Sequence, residues 1–130
     1  MIAVDTSVLV AIALKEKERT DFLAKLTEVH AVVGTPTLVE ASMVLRSRIP
    51  DYYDRFLDSA VRDQMVAPEP FTADMYLAAR DAFSRYGKGT GHPAQLNFGD
   101  CLSYAVAKVR GVPLLYKGLD FAKTDIPAAL

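Results

Sequence analysis

Four acidic residues stand out by where they fall in the pattern of the chain. Asp5 closes the apolar run "MIAV" and is followed by two hydroxyl residues, Thr6 and Ser7. Glu40 lies in "TLVEASMVL", shortly after the apolar "AVVG". Asp100 follows Asn97 in "LNFGDC", at the front of an amphipathic run, and Asp120 follows the late apolar run "VPLLY" in "YKGLDF". A carboxylate bordering a buried strand needs a partner, because an unpaired charge beside an apolar interior is costly. Several carboxylates in one cleft repel each other and hold protons more tightly unless a cation neutralises them. An all-oxygen donor set suits a hard divalent ion, Mg²⁺ or Mn²⁺, better than Zn²⁺. Such an ion orients water and offsets charge on a phosphate undergoing transfer. His30, His92 and Cys101 lack metal-ligand spacing and form no rival set.

Hydrophobic periodicity indicates the elements that must carry these groups. "IAVD" reads as a buried strand running straight into a helix, and "AVVG" (31–34) as a second strand. Phe22, Leu23, Leu26 and Val29 share one helical face over 19–30. "TPTLVEASMVLRSR" reads as a helix that starts where Thr35 precedes Pro36. Tyr53, Phe56, Leu57, Ala60 and Val61 define a helix over 50–64, whose aromatic surface with Tyr52 suits core packing or a partner groove. "MVAPEP" holds a short strand, and Met75, Ala79, Ala82, Phe83 and Tyr86 mark a helix over 72–86. "GKGTGHP" (87–93) is a loop. The last helix carries a stripe of Phe98, Leu102, Ala105, Val106 and Val109 and ends near Gly111, before the strand "VPLLY". Short apolar strands alternating with helices predict an α/β fold, with a mainly parallel sheet covered on both faces. Ligands of such sheets gather at the carboxyl ends of the strands, so all four acids are expected at one edge.

The chain has 130 residues, which predicts a single domain spanning 1–130 with a real core. Half of it is hydrophobic (51%) and 24% is charged, an ordinary globular composition. A net charge of −1 sets up no global basic field for nucleic acid and does not exclude it. Cys101 is the single cysteine, so no intrachain disulfide forms. No apolar run reaches membrane-spanning length, and the first residues lack the charged-then-apolar order of a secretory signal. A cytoplasmic protein without a membrane partner is the expectation. The acids also have structural readings. Thr37 to Glu40 and Asn97 to Asp100 both match capping boxes, Asp120 suits a turn, and Thr6 or Ser7 suits a helix cap. Cys101, beside Asp100, reads as small-residue packing and not as a nucleophile.

Together, "VDTSVLV", "TLVEASMVL", "LNFGDCLSYAVAK" and "LLYKGLDFAKTDI" resemble PIN-domain ribonucleases of the VapC toxin type, nearly end to end, with "HPAQLNFGDC" and "LLYKGLDF" the strongest part. The resemblance implies a PIN-like α/β/α sandwich and Mg²⁺- or Mn²⁺-dependent endoribonuclease activity that halts translation. It also implies a cognate VapB-like antitoxin and a homodimer. Carried over motif by motif, it makes Asp5, Glu40, Asp100 and Asp120 the catalytic acids, with Asp5, Asp100 and Asp120 as metal ligands. Ser7, Thr6 and Asn97 support them, and Asp125 in "TDI" is a structural or outer acid. Leu119 departs from a position that is often polar or acidic in relatives, which leaves Asp120 as the acid next to Phe121. Lys15, Lys17, Arg19, Arg46, Arg48, Arg85, Lys88 and Lys117 are rim cations for RNA phosphate. Two other readings stand beside this one. One is a PIN-like binding module without turnover. The other is an aspartyl-nucleophile phosphatase, which wants a second acid where this chain has Ser7.

Overall fold

In β1 (Ile2–Val4), successive side chains leave the strand on opposite sides, and this alternation sorts the helices into two layers. The computed structural model describes residues 1–130. Ile2 and Val4 enter one core and Ala3 the other. In β2 (Ala31–Gly34), Ala31 and Val33 join the first core and Val32 the second. In β4 (Leu114–Leu115) the two leucines split the same way, with Leu115 in the first and Leu114 in the second. Four helices cover the first face: α1 (Thr6–Ala13), α2 (Arg19–Glu28), α3 (Thr35–Arg48) and α4 (Tyr53–Arg62). The second face is covered by α5 (Ala73–Tyr86) and α6 (Phe98–Arg110). This is the α/β/α sandwich that the periodicity predicts.

All pairings in the sheet are parallel, in the order β3-β2-β1-β4, with β3 at Ala67–Glu69. The chain builds outward from β1 to β2 to β3 and then crosses back to place β4 on the other side of β1. The strand order therefore reverses between β1 and β4, and the carboxyl ends there form the crevice where doubly wound sheets bind ligands. Asp5 leaves β1 at that crevice, and the loop after β4 carries Asp120.

Several elements are shorter than their sequence patterns predict. β4 is two residues long, because Pro113 has no N–H to give the ladder, although its carbonyl accepts from Ala3 N at 2.9 Å. β3 contains Pro68 and lies at the sheet edge, where a missing donor is tolerated. α6 stops at Gly111, whose φ of +67° is the left-handed conformation that ends a helix. The predicted α6 stripe is buried at Leu102, Ala105 and Val106, but Phe98 is 79% exposed and Val109 40% exposed. Both sit near helix ends, where the sheet no longer covers them. No helix is long and apolar enough to cross a membrane.

Candidate active site

Asp5 keeps an extended backbone (φ −86°, ψ 157°), so the alternation of β1 continues through it and its side chain follows Ala3 toward α6. It is also the N-cap of α1. Its Oδ2 accepts from Ser7 N at 3.1 Å and from Ser7 Oγ at 2.6 Å. On the far side, Oδ1 accepts from the buried Ser103 Oγ of α6 at 2.6 Å. The cap position therefore belongs to Asp5, not to Thr6 or Ser7, because only Asp5 precedes the first helical residue with its carboxylate turned onto the free amides. Ser7 Oγ in turn accepts from Lys117 N at 2.9 Å, which ties the loop after β4 to the end of β1.

Glu40 is not part of a capping box. α3 begins at Thr35 with Gly34 as its N-cap, so Thr37 already lies inside the helix and has no free first-turn amide to cap. Instead the Glu40 carboxylate crosses to α1, where Thr6 Oγ1 donates to Oε1. Its other oxygen lies against the backbone of Gly99, and a Cβ there would run into the carboxylate. Glycine at 99 is thus required by close approach rather than by its dihedral angles.

For Asp100 both readings hold at once. Asn97 Oδ1 accepts from Asp100 N at 2.9 Å and Asp100 Oδ2 accepts from Asn97 N at 3.0 Å, a complete capping box. The box uses one carboxylate oxygen and leaves Oδ1 for the crevice. Burial pushes the Asp100 carboxyl up to about 6, the Asn97 amide pulls it partly back, and the charges of Asp5, Asp120 and Glu40 push it up further. All four predicted acids are therefore close enough for their fields to meet at Asp100.

Asp120 is the most open member by position. It is exposed, directly before a 3₁₀ turn (Phe121–Lys123), and its carboxylate makes no hydrogen bond. Gly118 (φ +102°) turns the loop, and buried Phe121 packs on Tyr116 with ring centroids 5.1 Å apart. Asp125 is elsewhere. It accepts from Tyr104 Oη at 2.7 Å and Lys108 Nζ at 2.8 Å, with Arg85 at 3.8 Å. Burial alone would raise its carboxyl, but these partners outweigh burial and bring it down to about 2. It clamps the C-terminal segment onto α6 and adds no charge to the crevice.

No three of the acids close on one coordination point. Glu40 is drawn onto Thr6, Asp5 onto its hydroxyls, and Asp120 stays in solvent, an arrangement that matches mutual repulsion. The donor chemistry still fits a hard divalent cation: the groups offer only oxygen, and Asp100 is held up by burial and then by like charge, which a cation would offset.

Other predicted groups are accounted for. Burial, and then the Asp100 charge, push the Cys101 thiol up to about 11, so it stays protonated at neutral pH. Three of the predicted rim cations are engaged within the fold. Lys117 Nζ bridges Glu16 at 3.0 Å and Glu18 at 3.1 Å, Arg19 Nε donates to Ile12 O at 3.3 Å, and Arg85 donates to Tyr86 Oη at 2.8 Å. Lys15, Lys17, Arg46, Arg48 and Lys88 are exposed. Beside the crevice, Phe71, Tyr76, Phe83, Phe98 and Leu102 line an apolar cleft of about 640 Å³. Phe98 and Leu102 also face a second cleft with Pro36, Val39 and Met43 of α3. The sequence reading missed Ser103 and Gly99. Ser103 had one available signal: it stands three residues after Asp100, on the same helical face, as a small hydroxyl residue in a mostly apolar run.

The family model for the PIN domain matches residues 2–127. Ribonuclease VapC28 of Mycobacterium tuberculosis is 38% identical over 128 residues, covering 98% of this chain and 96% of its own. Ribonuclease VapC30 of the same organism is 40% identical over 124 residues, covering 95% and 94%. The crystal structure of M. tuberculosis VapC20, a sarcin-ricin loop cleaving toxin, superposes with a TM-score of 0.76 at 20% identity over 97% of this chain and 96% of that one. That last likeness concerns the fold alone, whereas the family model spans the positions of all four acids. On these grounds the chain belongs to the PIN-domain family, among its VapC ribonucleases.

Proposed function

We propose that this protein is the toxin of a type II toxin–antitoxin pair, an endoribonuclease that cleaves RNA to inhibit translation. The observation that carries this reading is the packing of Glu40 against Gly99 and of Asp5 onto Ser103, which brings both acids to the stretch of α6 that holds Asp100, at the switch point of the sheet. The named relatives are ribonucleases over nearly their whole length. A single domain over 1–130 performs the chemistry, and the cytoplasm, where translation runs, is its place of action.

Asp5, Asp100 and Asp120 are the residues that would hold the Mg²⁺ or Mn²⁺ ion. When bound, the cation neutralises charge on the scissile phosphate and makes water more acidic. Ser7 and Thr6 keep Asp5 and Glu40 facing the crevice. Glu40 orients the attacking water with the oxygen that Thr6 leaves free. Asn97 holds one oxygen of Asp100 and so aims the other. Attack by water in line with the 3′ oxygen leaves 5′-phosphate and 3′-hydroxyl ends, because the ribose 2′-hydroxyl takes no part.

Two partners follow from this reading. A VapB-like antitoxin neutralises the enzyme by covering the crevice. A second copy of the chain covers the apolar surface around Phe98, where Val39, Met43, Tyr76 and Phe83 are also exposed. The test is to incubate the partner-free protein with total RNA, with Mn²⁺ and with chelator, and to map the ends. Mn²⁺-dependent cuts with 5′-phosphate ends are expected. Chelator-insensitive cuts leaving cyclic phosphates would reject the mechanism. Absence of any cut, with RNA still bound, would favour the binding-module reading.

A further inference from the structure

We infer that Ser103 is a positioning residue for the acidic cluster: its buried hydroxyl fixes the Asp5 carboxylate at a set spacing from Asp100, so that the pair can take up a divalent cation. The inference rests on the ribonuclease reading above, and it concerns a residue to which the motif-by-motif comparison gives no role.

Ser103 is 1% exposed, in the middle of α6, beside Leu102, Tyr104 and Ala105. Serine there is an unfavourable choice on local grounds. Alanine is the better helix former, and a buried hydroxyl without a partner is costly. Three exposed hydroxyls in other helices turn back on their own backbone. Thr27 donates to Ala24 O, Ser42 to Val39 O and Ser47 to Val44 O, each at 2.7 Å. Ser103 instead donates across the interior to Asp5 Oδ1 at 2.6 Å, over a sequence separation of 98 residues.

The placement has a geometric consequence. Asp100 and Ser103 are three residues apart on α6, so both face the end of β1. Asp5 is gripped by Ser7 from its own helix start and by Ser103 from α6. The first grip orients the carboxylate relative to β1. The second ties it to the helix that carries Asp100, so the two acids cannot drift apart by rotation of the Asp5 side chain. The Ser103 hydrogen is used on Asp5 and has no backbone alternative in use, so its removal frees Asp5 Oδ1 without disturbing the helix. This is a role in the preorganisation of ligands, of the kind that outer groups play for metal sites in general.

The experiment compares wild type, Ser103→Ala, Ser103→Cys and, as a baseline, the surface variant Ser47→Ala. Mn²⁺ affinity is measured by calorimetry without RNA, steady-state kinetics are taken on a short RNA, and thermal melting is followed in metal-free buffer. Loss of a hydrogen bond to a charged group predicts roughly tenfold weaker Mn²⁺ binding in Ser103→Ala. The value of kcat at limiting Mn²⁺ falls and recovers at saturating Mn²⁺, KM for RNA stays within about twofold, and melting falls by a few degrees because Asp5 Oδ1 loses a buried donor. Ser103→Cys keeps the volume and weakens the donor, so it falls between the two. A purely structural role would lower melting and leave Mn²⁺ affinity as in wild type. Wild-type Mn²⁺ affinity in both variants would overturn the inference while leaving the ribonuclease reading standing. Failure of the wild-type protein itself to bind Mn²⁺ would overturn the metal assignment and this inference with it.

Discussion

The two halves of the acidic crevice are built differently. On the β1 side, Asp5 and Glu40 are each held by hydroxyls, from Ser7 and Ser103 in the first case and Thr6 in the second. On the other side, Asp100 keeps one oxygen free of protein donors, and Asp120 has no hydrogen bond at all. The first half is rigid because donors satisfy its charge. The second carries unrelieved charge, visible as the Asp100 carboxyl pushed up to about 6 by burial and by its acidic neighbours. A site divided this way has a fixed wall and an adjustable one. Ligand geometry is set at Asp5, and closure onto cation and substrate falls to Asp100 and the Asp120 loop.

The comparison breaks if the fixed wall is dispensable. Asp5→Asn and Asp100→Asn should each lower RNA cleavage by about three orders of magnitude, read as kcat/KM with Mn²⁺ saturating for wild type. Asp120→Asn, on the open loop, should cost less, about tenfold to a hundredfold. Equal losses at all three positions would erase the distinction. Gly99→Ala probes the contact between the halves. Its Cβ runs into the Glu40 carboxylate, so the helix must shift or Glu40 must leave Thr6. Cleavage should fall about a hundredfold and stability by about 1–3 kcal/mol, checked by kinetics and by urea unfolding.

A sharper contrast sets Asp100 against Asp125, since their environments have opposite signs. The folded Asp100 carboxyl, near 6, lies above its ordinary 3.8. Its favourable share in stability is complete below 3.8 and disappears as pH rises through 6. Asp100→Asn, although inactive, should therefore be more stable than wild type at pH 8 by about 1 kcal/mol, after discounting for partial exposure, and not at pH 4. For the same reason Mn²⁺ affinity of the wild type should weaken as pH falls below 6, where the proton competes for Asp100. Asp125, held near 2 against an ordinary 3.8, behaves in reverse. Its stabilisation is present above 3.8 and lost as pH falls through 2. Asp125→Asn should lower stability at pH 7 by about 1 kcal/mol or less, given its exposure, and cost nothing near pH 2. Thermal melts across pH test both slopes. Parallel slopes would mean that burial and the neighbouring acids do not hold the Asp100 carboxyl up.

Much of this is legible along the chain because it depends on neighbours a few residues apart. The alternation in "IAVD" and "AVVG", the helical stripes, the glycine at 111 and the motifs around the four acids each lie within one element, where period and capping rules operate. Those rules determine a parallel α/β sheet, the acids at its carboxyl edge and the family motif. They do not determine which hydroxyl holds which acid. Thr6 reaches Glu40 across 34 residues, and Ser103 reaches Asp5 across 98. The capping pattern at Thr37 misleads because the helix has already begun there, while the same pattern at Asn97 is real. Lys117, expected to face RNA, is instead taken up by Glu16 and Glu18, whose position depends on how α1 and α2 turn at the sheet edge. Only the packed tertiary structure decides these pairings, because a charge or hydroxyl chooses its partner by distance in space, and that distance is fixed by helices docking on the sheet.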